Sequence, residues 1–455
     1  LRERAGGRDG LLLGVDVGTT RIKAVAIDAM GTGRAEGAVP TPFATSTDGT
    51  EMSVADLGRA LAGVIALLGP LRKEVVAVGL AGIAESGVPL RSGRPLAPII
   101  AWHDPRGEET VASLQDRFGA DLPRWTGRRV RTVSSVAKLG WLVGRGLPEP
   151  DRWLGVPESA LFLLTGAEAT EYSLAARTGA YHVTGRRWLP EVVAHVLGAP
   201  AAEHRRRYPG GEPPAGLFPP VRESGAVMGR IGPEAAAGYG LPPGIPVTIA
   251  GHDHLAAAAG LDVRPDDLLN SVGTAETLVR RLDLVPDVDR ALELDLAVTL
   301  WPGGAAWAVL ASAGRSGMVI EALATELGVA PGELDGLGGP AAERWAETVG
   351  TLAMSTAAAA GRVAALAGPH RRLAVFGGGS RSPMWLQAKA STAGVPVVRC
   401  SVTEAAARGA ALAAGVAAGW WGSTTDGPTA ILGDPADDRP PSLGGSDGLP
   451  ETMGA

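Results

Sequence analysis

Apolar positions fall along this chain in short β-branched runs between glycine-rich turns, with longer stretches of helical spacing among them. The first run, Leu11 to Val17, resumes after Gly18-Thr19-Thr20 as Ile22 to Ile27. Both runs are short and β-branched and read as strands. A second turn at Met30-Gly31-Thr32-Gly33 leads to a third strand. Ser53 offers an N-cap to apolar residues at helical spacing from Val54 to Leu68. Val75 to Leu80 reads as a buried strand. Shorter strands follow at Val88 to Leu90 and Pro98 to Trp102, about the Ser92-Gly93 turn. Helices are predicted from Pro105 to about Phe118, from Ser134 or Ser135 through Trp141 to Val143, and from Pro157 to a stop at Gly166. Residues 198–225 hold many Pro and Gly and predict a long surface crossing.

The second half opens after Leu241-Pro242-Pro243-Gly244, where the domain junction is expected. Val247 to Ala250 is a strand that delivers Gly251-His252-Asp253-His254 into an alanine-rich segment. Leu268 to Val279 repeats the opening plan: apolar strand, Gly273-Thr274, apolar strand. Two such hairpins, one early in each half, imply a duplicated domain with a nucleotide between the copies. Further strands are predicted near Leu294–Leu300 and Trp307–Leu310, and helices near Gly317–Leu327 and Ala341–Leu366. Leu373 to Phe376 is a strand that runs into Gly377-Gly378-Gly379. Thr403 is expected to cap a last Ala-rich helix to Trp421. Beyond Gly422 the sequence is poor in apolar residues and predicts a disordered tail. The expected units are residues 11–246, 247–422 and a tail over 423–455.

Length and composition narrow the function classes. A chain of 455 residues suits two domains with substantial cores. Its net charge of −6 argues against a nucleic-acid partner. A single cysteine, Cys400, excludes an intramolecular disulfide and suits a reducing cytoplasm. No signal-type n- and h-region and no run of 18 apolar residues appears, so no membrane partner is expected. Lysine stands only at Lys23, Lys73, Lys138 and Lys389, a skew that reads as genome composition.

Candidate chemistry gathers at the turns. Gly18 lets backbone approach a ligand closely, and successive N–H groups there can cradle phosphate oxygens. Asp16 stands beside that cradle, where a carboxylate can hold Mg²⁺ through water. A Walker A loop is excluded, because a strand follows and not a helix. Asp-x-Gly-Thr alone fits a plain hairpin turn as well. The second hairpin weighs for phosphate. Gly377-Gly378-Gly379 ends a strand where backbone must approach a flat or charged ligand, with Ser380, Arg381 and Ser382 before a helix-starting Pro383. Taken alone, that run also fits a simple glycine turn. Asp253 stands at a strand end facing the interdomain cleft, a setting it shares with ordinary helix-capping aspartates. His252 and His254 flank it, but a third metal ligand with zinc-type spacing is missing. Glu85-Ser86 and Trp102-His103-Asp104 follow strands in the first half. A tryptophan face with nearby carboxylates suits a polyol, and it equally fits a half-buried Trp with a capping Asp. Tyr172 to Thr178 shows no chemistry in its residue types.

The order of these motifs resembles the FGGY-type carbohydrate kinases, the group of glycerol kinase, xylulokinase and gluconokinase. The resemblance runs from about Leu11 to Trp421. GVDVGTTRIKAVAID is similar to the family's first phosphate motif and LLNSVGTAETL to its second. FGGGSRSPMWLQAKASTAGVPV with TEAAARGAALAAGVAAGWW is similar to its adenosine motif and closing helix. IIAWHDPR and EYSLAART resemble further family segments, and IAGHDHLAAAAG resembles the one that bears the catalytic aspartate, here Asp253. The implied fold is α/β, two actin-like (ribonuclease H-like) ATPase domains with an interdomain cleft. The implied activity is ATP- and Mg²⁺-dependent phosphorylation of a small sugar or polyol.

The resemblance also implies roles. Asp253 would be the catalytic base. Asp16 and Asp253 would hold the metal. Gly18, Thr19, Thr20, Lys23, Gly273 and Thr274 would bind phosphates. Gly317, Gly377, Gly378, Gly379 and Ser382 would bind ATP. Glu85, Ser86, Trp102, Asp104, His252 and Asp253 would bind substrate. The first sugar loop departs from the family. Glycerol kinase has Gln-Arg-Glu and xylulokinase Gln-Met-His where this chain has Ile83-Ala84-Glu85, and Val133 falls where glycerol kinase has a substrate tyrosine. A more apolar and roomier sugar site is expected. The expected partners are the small substrate and a second copy of the chain. Two other readings share the fold: an actin-type ATPase without a sugar, and a sugar-binding regulator without turnover.

Overall fold

The computed structural model describes residues 9–198, 217–261, 263–400, 402 and 404–428. Two six-stranded sheets form its frame. In the first, Leu11–Val17 lies at the centre, antiparallel to Arg21–Ile27 and parallel to Val75–Gly82. Gly33–Pro40 extends one side, and Pro246–His252 pairs in parallel with Val75–Gly82 on the other. The second sheet repeats the plan. Asp267–Val272 pairs antiparallel with Glu276–Leu282 and parallel with Arg372–Phe376. The duplication expected from the two hairpins is therefore a duplication of sheet topology.

Alternation and capping explain most elements. Ser53 caps helix Val54–Ala66 by accepting from Asp56 N at 3.0 Å. The helix buries Leu57, Leu61, Val64 and Ile65 on one face of the first sheet. Gly166 ends helix Val156–Thr165 in a left-handed conformation, φ 70°. The long helix Gly339–Ala367 buries Trp345, Val349, Leu352 and Val363 in the core of the second sheet. Among the described residues it is the one helix long and apolar enough to span a membrane by composition. A third six-stranded sheet, antiparallel throughout, extends the first half, and the helices Glu108–Phe118, Asp121–Thr126, Ser135–Val143 and Pro190–Val196 pack around a core of their own beside it.

Helix Ala405–Ala417 lies on the far face of the first sheet, although it comes from the second half of the sequence. Ala407, Ala411, Leu412 and Ala414 pack against Leu12, Val25, Ile27 and Ala77. A Cβ on Gly14 or Gly79 would sit 1.8 Å from the carbonyl oxygens of Ala407 and Ala410 respectively. Glycine at those two strand positions lets helix backbone touch sheet backbone.

Several sequence expectations change. The boundary expected between 246 and 247 falls inside the first domain, because Pro246–His252 is hydrogen-bonded into the first sheet. The strand expected over Leu294–Leu300 is shorter, Ala297–Leu300, and follows a helix, Val288–Glu293, whose Asp287 cap accepts from Arg290 N. Residues 423–428, expected in the tail, are packed against the last helix. They are held by Arg408, which donates to Pro428 O at 2.6 Å, and by Gly427 against Trp421. Thr403, most of the expected crossing (199–216) and residues 429–455 lie outside the described residues.

Candidate active site

A cleft of about 560 Å³ opens where the hairpin turns of the two sheets meet. Gly18, Thr19 and Thr20 line it from one side, Gly273 and Thr274 from the other. Thr20 Oγ1 and Thr274 Oγ1 stand 3.3 Å apart, so the turns touch. Trp102 Nε1 donates to Thr19 Oγ1 at 2.9 Å and ties the first turn to the Trp102 loop. Gly377 and Gly378 line the cleft on the second domain.

Asp16 projects from the central strand next to the first turn and is 8 % exposed. Its Oδ1 is buried with no hydrogen-bond partner. Burial pushes its pKa up to about 7, the nearby Asp253 carboxylate adds to this, and Lys23 partly offsets it. An orphaned buried oxygen beside a second carboxylate suits a divalent cation, whose charge favours the ionised form. The donor set therefore fits the Mg²⁺ implied by the sequence. Lys23 lines the cleft and pairs with Glu404 at 2.6 Å.

Asp253 follows a β-bulge. The register with Val75–Gly82 slips between Ile249 and Gly251, and Gly251 adopts φ 129°. The bulge turns the strand end into the cleft. His252 N donates to Ser173 Oγ at 2.9 Å, and Ser173 donates to Glu171 at 2.5 Å. Glu171 also accepts from Gly303 N at 3.0 Å. Burial, opposed by these bonds, raises the Glu171 carboxyl to about 7. Asp253 begins helix Asp253–Ala259, and its Oδ1 accepts from His254 N at 2.6 Å. His252 Nε2 lies 3.2 Å from the same oxygen, and His254 Nδ1 lies 2.9 Å from Ser271 Oγ. Burial holds His252 well below the ordinary imidazole value, with His254 and the arginines adding to it, so it is neutral. The third ligand-type group beside the two histidines is Asp253 itself; the three ligand atoms lie within 4.8 Å of one another.

The cleft is also lined by Ile83, Ala84, Glu85, Trp102, Val133, Arg128 and Arg177. Glu85 Oε1 receives Arg128 Nη1 and Arg177 Nη2, each at 2.6 Å. Burial pushes Glu85 up, but the two guanidiniums outweigh it and hold the carboxyl below its ordinary range. Sequence reasoning missed both arginines. Arg177 belongs to the EYSLAART segment, whose resemblance to a family segment was its one signal.

Five expected site residues stand behind the wall. Asp104 is 2 % exposed. Its carboxylate accepts from Arg106 Nε at 2.7 Å and from Thr50 N at 2.8 Å, so it anchors the Trp102 loop and does not face the cleft. Ser86 is buried and accepts from Trp102 N at 2.7 Å. Ser382 caps helix Pro383–Thr392 through Trp385 N and donates to Asp335. Gly317 lies against the second turn, where a Cβ would come 2.4 Å from Gly273 O, and Gly379 packs on Trp385. These residues shape the loops that line the cleft.

Comparison with known proteins matches this geometry to one family. Residues 11–260 match the N-terminal domain of the FGGY family of carbohydrate kinases, and residues 336–418 match its C-terminal domain. The chain belongs to that family. It is 26% identical to an L-fuculokinase from Escherichia coli K12 over 316 residues, 65% of this chain. That match spans 63% of the fuculokinase's own length. It is 28% identical to a glycerol kinase from Polaromonas naphthalenivorans over 80% of each chain. Among solved structures, a xylulose kinase from Lactobacillus acidophilus superposes with a TM-score of 0.77 at 18% identity, covering 93% of both chains. The two-domain actin-like fold is shared with that enzyme.

Proposed function

We propose that this chain transfers the γ-phosphoryl group of ATP to a hydroxyl of a small sugar, polyol or sugar-like substrate, with Mg²⁺ as cofactor. The observation that carries this reading is the meeting of Asp16 and Asp253 with the two hydroxyl-bearing turns in one cleft. Asp253 would accept the proton of the attacking hydroxyl. Because a carboxylate is a weak base toward an alcohol, proton transfer comes late, and positioning carries most of the effect. Thr19, Thr20, Gly273 and Thr274 would hold phosphate oxygens. Asp16 would hold the metal, which when bound neutralises charge on the transferring phosphates. Domain closure would exclude water and limit ATP hydrolysis, and the exposed pair Arg131–Asp295 at 3.0 Å already links the two halves. The reading includes a cytoplasmic setting, supported by the lone buried Cys400.

The apolar Ile83 and Ala84 offer no side-chain donors in the cleft. Glycerol is therefore expected to be a poor substrate beside a larger polyol or modified sugar. An ATP-coupled screen over polyols, ketoses, aldonates and cyclitols tests the activity. Asp253→Asn keeps the shape and removes the base, so turnover should fall about 10²–10⁴-fold with ATP affinity little changed. A variant that keeps more than about a tenth of wild-type turnover, with chemistry rate-limiting, overturns the assignment.

A further inference from the structure

The cleft wall around Glu85 holds more positive charge than a neutral sugar needs. Glu85 is fixed there in a left-handed backbone, φ 72°, with its carbonyl accepting from Ser135 Oγ at 3.0 Å. Its side chain is 6% exposed, and those of Arg128 and Arg177 are 9% and 16% exposed. Both guanidiniums share the single oxygen Oε1. One carboxylate balances one guanidinium. Among the described residues, no second carboxylate pairs with Arg128 or Arg177. The Nε of Arg177 is buried with no partner. A buried cation without a counter-charge is costly, so such a site is completed by an anion.

The neighbouring wall has the same sign. Arg129 and Arg131 line the cleft on the first domain, and among the described residues only Arg131 of the two has an acidic partner, Asp295. A hydroxyl can accept a hydrogen bond from these groups but cannot supply the missing charge. A carboxylate can, and its planar oxygens match the guanidinium fork. One surplus guanidinium beside apolar Ile83 and Ala84 suits a monoanion better than a phosphate dianion.

We infer that the substrate is a sugar acid, a polyhydroxylated carboxylate whose carboxylate lies against Arg128 and Arg177 while a hydroxyl reaches Asp253. This rests on the kinase reading above. The competing role for the arginines is to hold Glu85 rigid for a neutral sugar.

The test is a matched series in which each carbon skeleton is offered as alditol, ketose, aldonate and sugar phosphate. Phosphorylation is followed by ADP release, and binding without ATP by calorimetry. The aldonate should exceed its matched alditol by about 10²-fold or more in kcat/KM, because an alditol leaves the buried cation unpaired. Arg128→Gln and Arg177→Gln should each bring that ratio down toward one. The wild-type series decides the matter even if a variant fails to fold. An alditol or ketose equal to the aldonate, a sugar phosphate bound more tightly, or no binding of any aldonate overturns the inference. Calorimetric binding of aldonates with no phosphorylated product from any substrate supports the carboxylate site and overturns the kinase reading instead.

Discussion

Replacing Glu276 by Gln tests how the turn of the second hairpin is held. Glu276 starts the return strand just after Gly273-Thr274-Ala275 and is fully buried. Its Oε2 accepts from Ser316 Oγ at 2.5 Å and its Oε1 from Thr356 Oγ1 at 2.6 Å. Lys389 Nζ forms an ion pair with the same carboxylate. The three donors come from three helices, so one carboxylate ties the turn to all of them. Lys389 is 1 % exposed, and burial lowers its pKa against the pull of Glu276. Gln keeps the shape but leaves the ammonium without its carboxylate. Removing one partner of a buried pair costs about 3–5 kcal/mol. The lower end is expected here, about 3 kcal/mol, because Lys389 can shed its proton to limit the loss. Urea unfolding followed by tryptophan fluorescence measures the loss. Calorimetry should show weaker ATP binding, because Ser316 leads into Gly317, which lies against Gly273. Pairing Glu276→Gln with Lys389→Met removes both charges and should recover about 1–3 kcal/mol over Glu276→Gln alone. Glu276→Gln within about 1 kcal/mol of wild type, or a double variant less stable than the sum of the singles, refutes the argument.

Three further outcomes follow from the site and its surroundings. Gly378→Val should weaken ATP binding and spare sugar affinity, because a Cβ at this cleft position meets no protein atom within 4 Å and would occupy ligand space; calorimetry showing the reverse order would assign the glycine run elsewhere. Trp102→Ala should lower kcat/KM for the preferred substrate about tenfold or more by removing the ring face, with a much smaller change in ATP affinity from the lost Thr19 contact; wild-type kinetics would move the sugar site away from this loop. Glu158 is raised to about 7 by burial, which its bond from Thr170 only partly opposes. Its folded pKa lies above the unfolded value, so its stabilising share is full below about pH 4.5 and is lost as pH rises through 7. Wild type should thus lose up to about 3 kcal/mol relative to Glu158→Gln between pH 4.5 and 8, read from urea midpoints, and parallel pH profiles would refute it.

The chain's local patterns were enough for the frame. Short β-branched runs about Gly18-Thr19-Thr20 and Gly273-Thr274 specify two hairpins, because strand period and turn chemistry are properties of neighbouring residues. Asp253 at a strand end was legible for the same reason. Ser53 and Ser382 were legible as polar residues at helix starts, though Ser382 turned out to cap a helix behind the cleft wall. Charge partners were not legible, since they are set by distances between segments far apart in sequence. Asp104 is turned inward by Arg106 and Thr50, which no local pattern announces. Arg128 and Arg177 come from separate segments and meet only on Glu85. The domain limit moved because Pro246–His252 found its hydrogen-bond partner in Val75–Gly82, and helix Ala405–Ala417 because Gly14 and Gly79 leave room for its backbone. The sequence by itself determined the two hairpins, their glycine turns and most of the strands and helices of the frame. Only the tertiary structure decided which charges face the cleft, because burial and pairing arise when remote segments pack together.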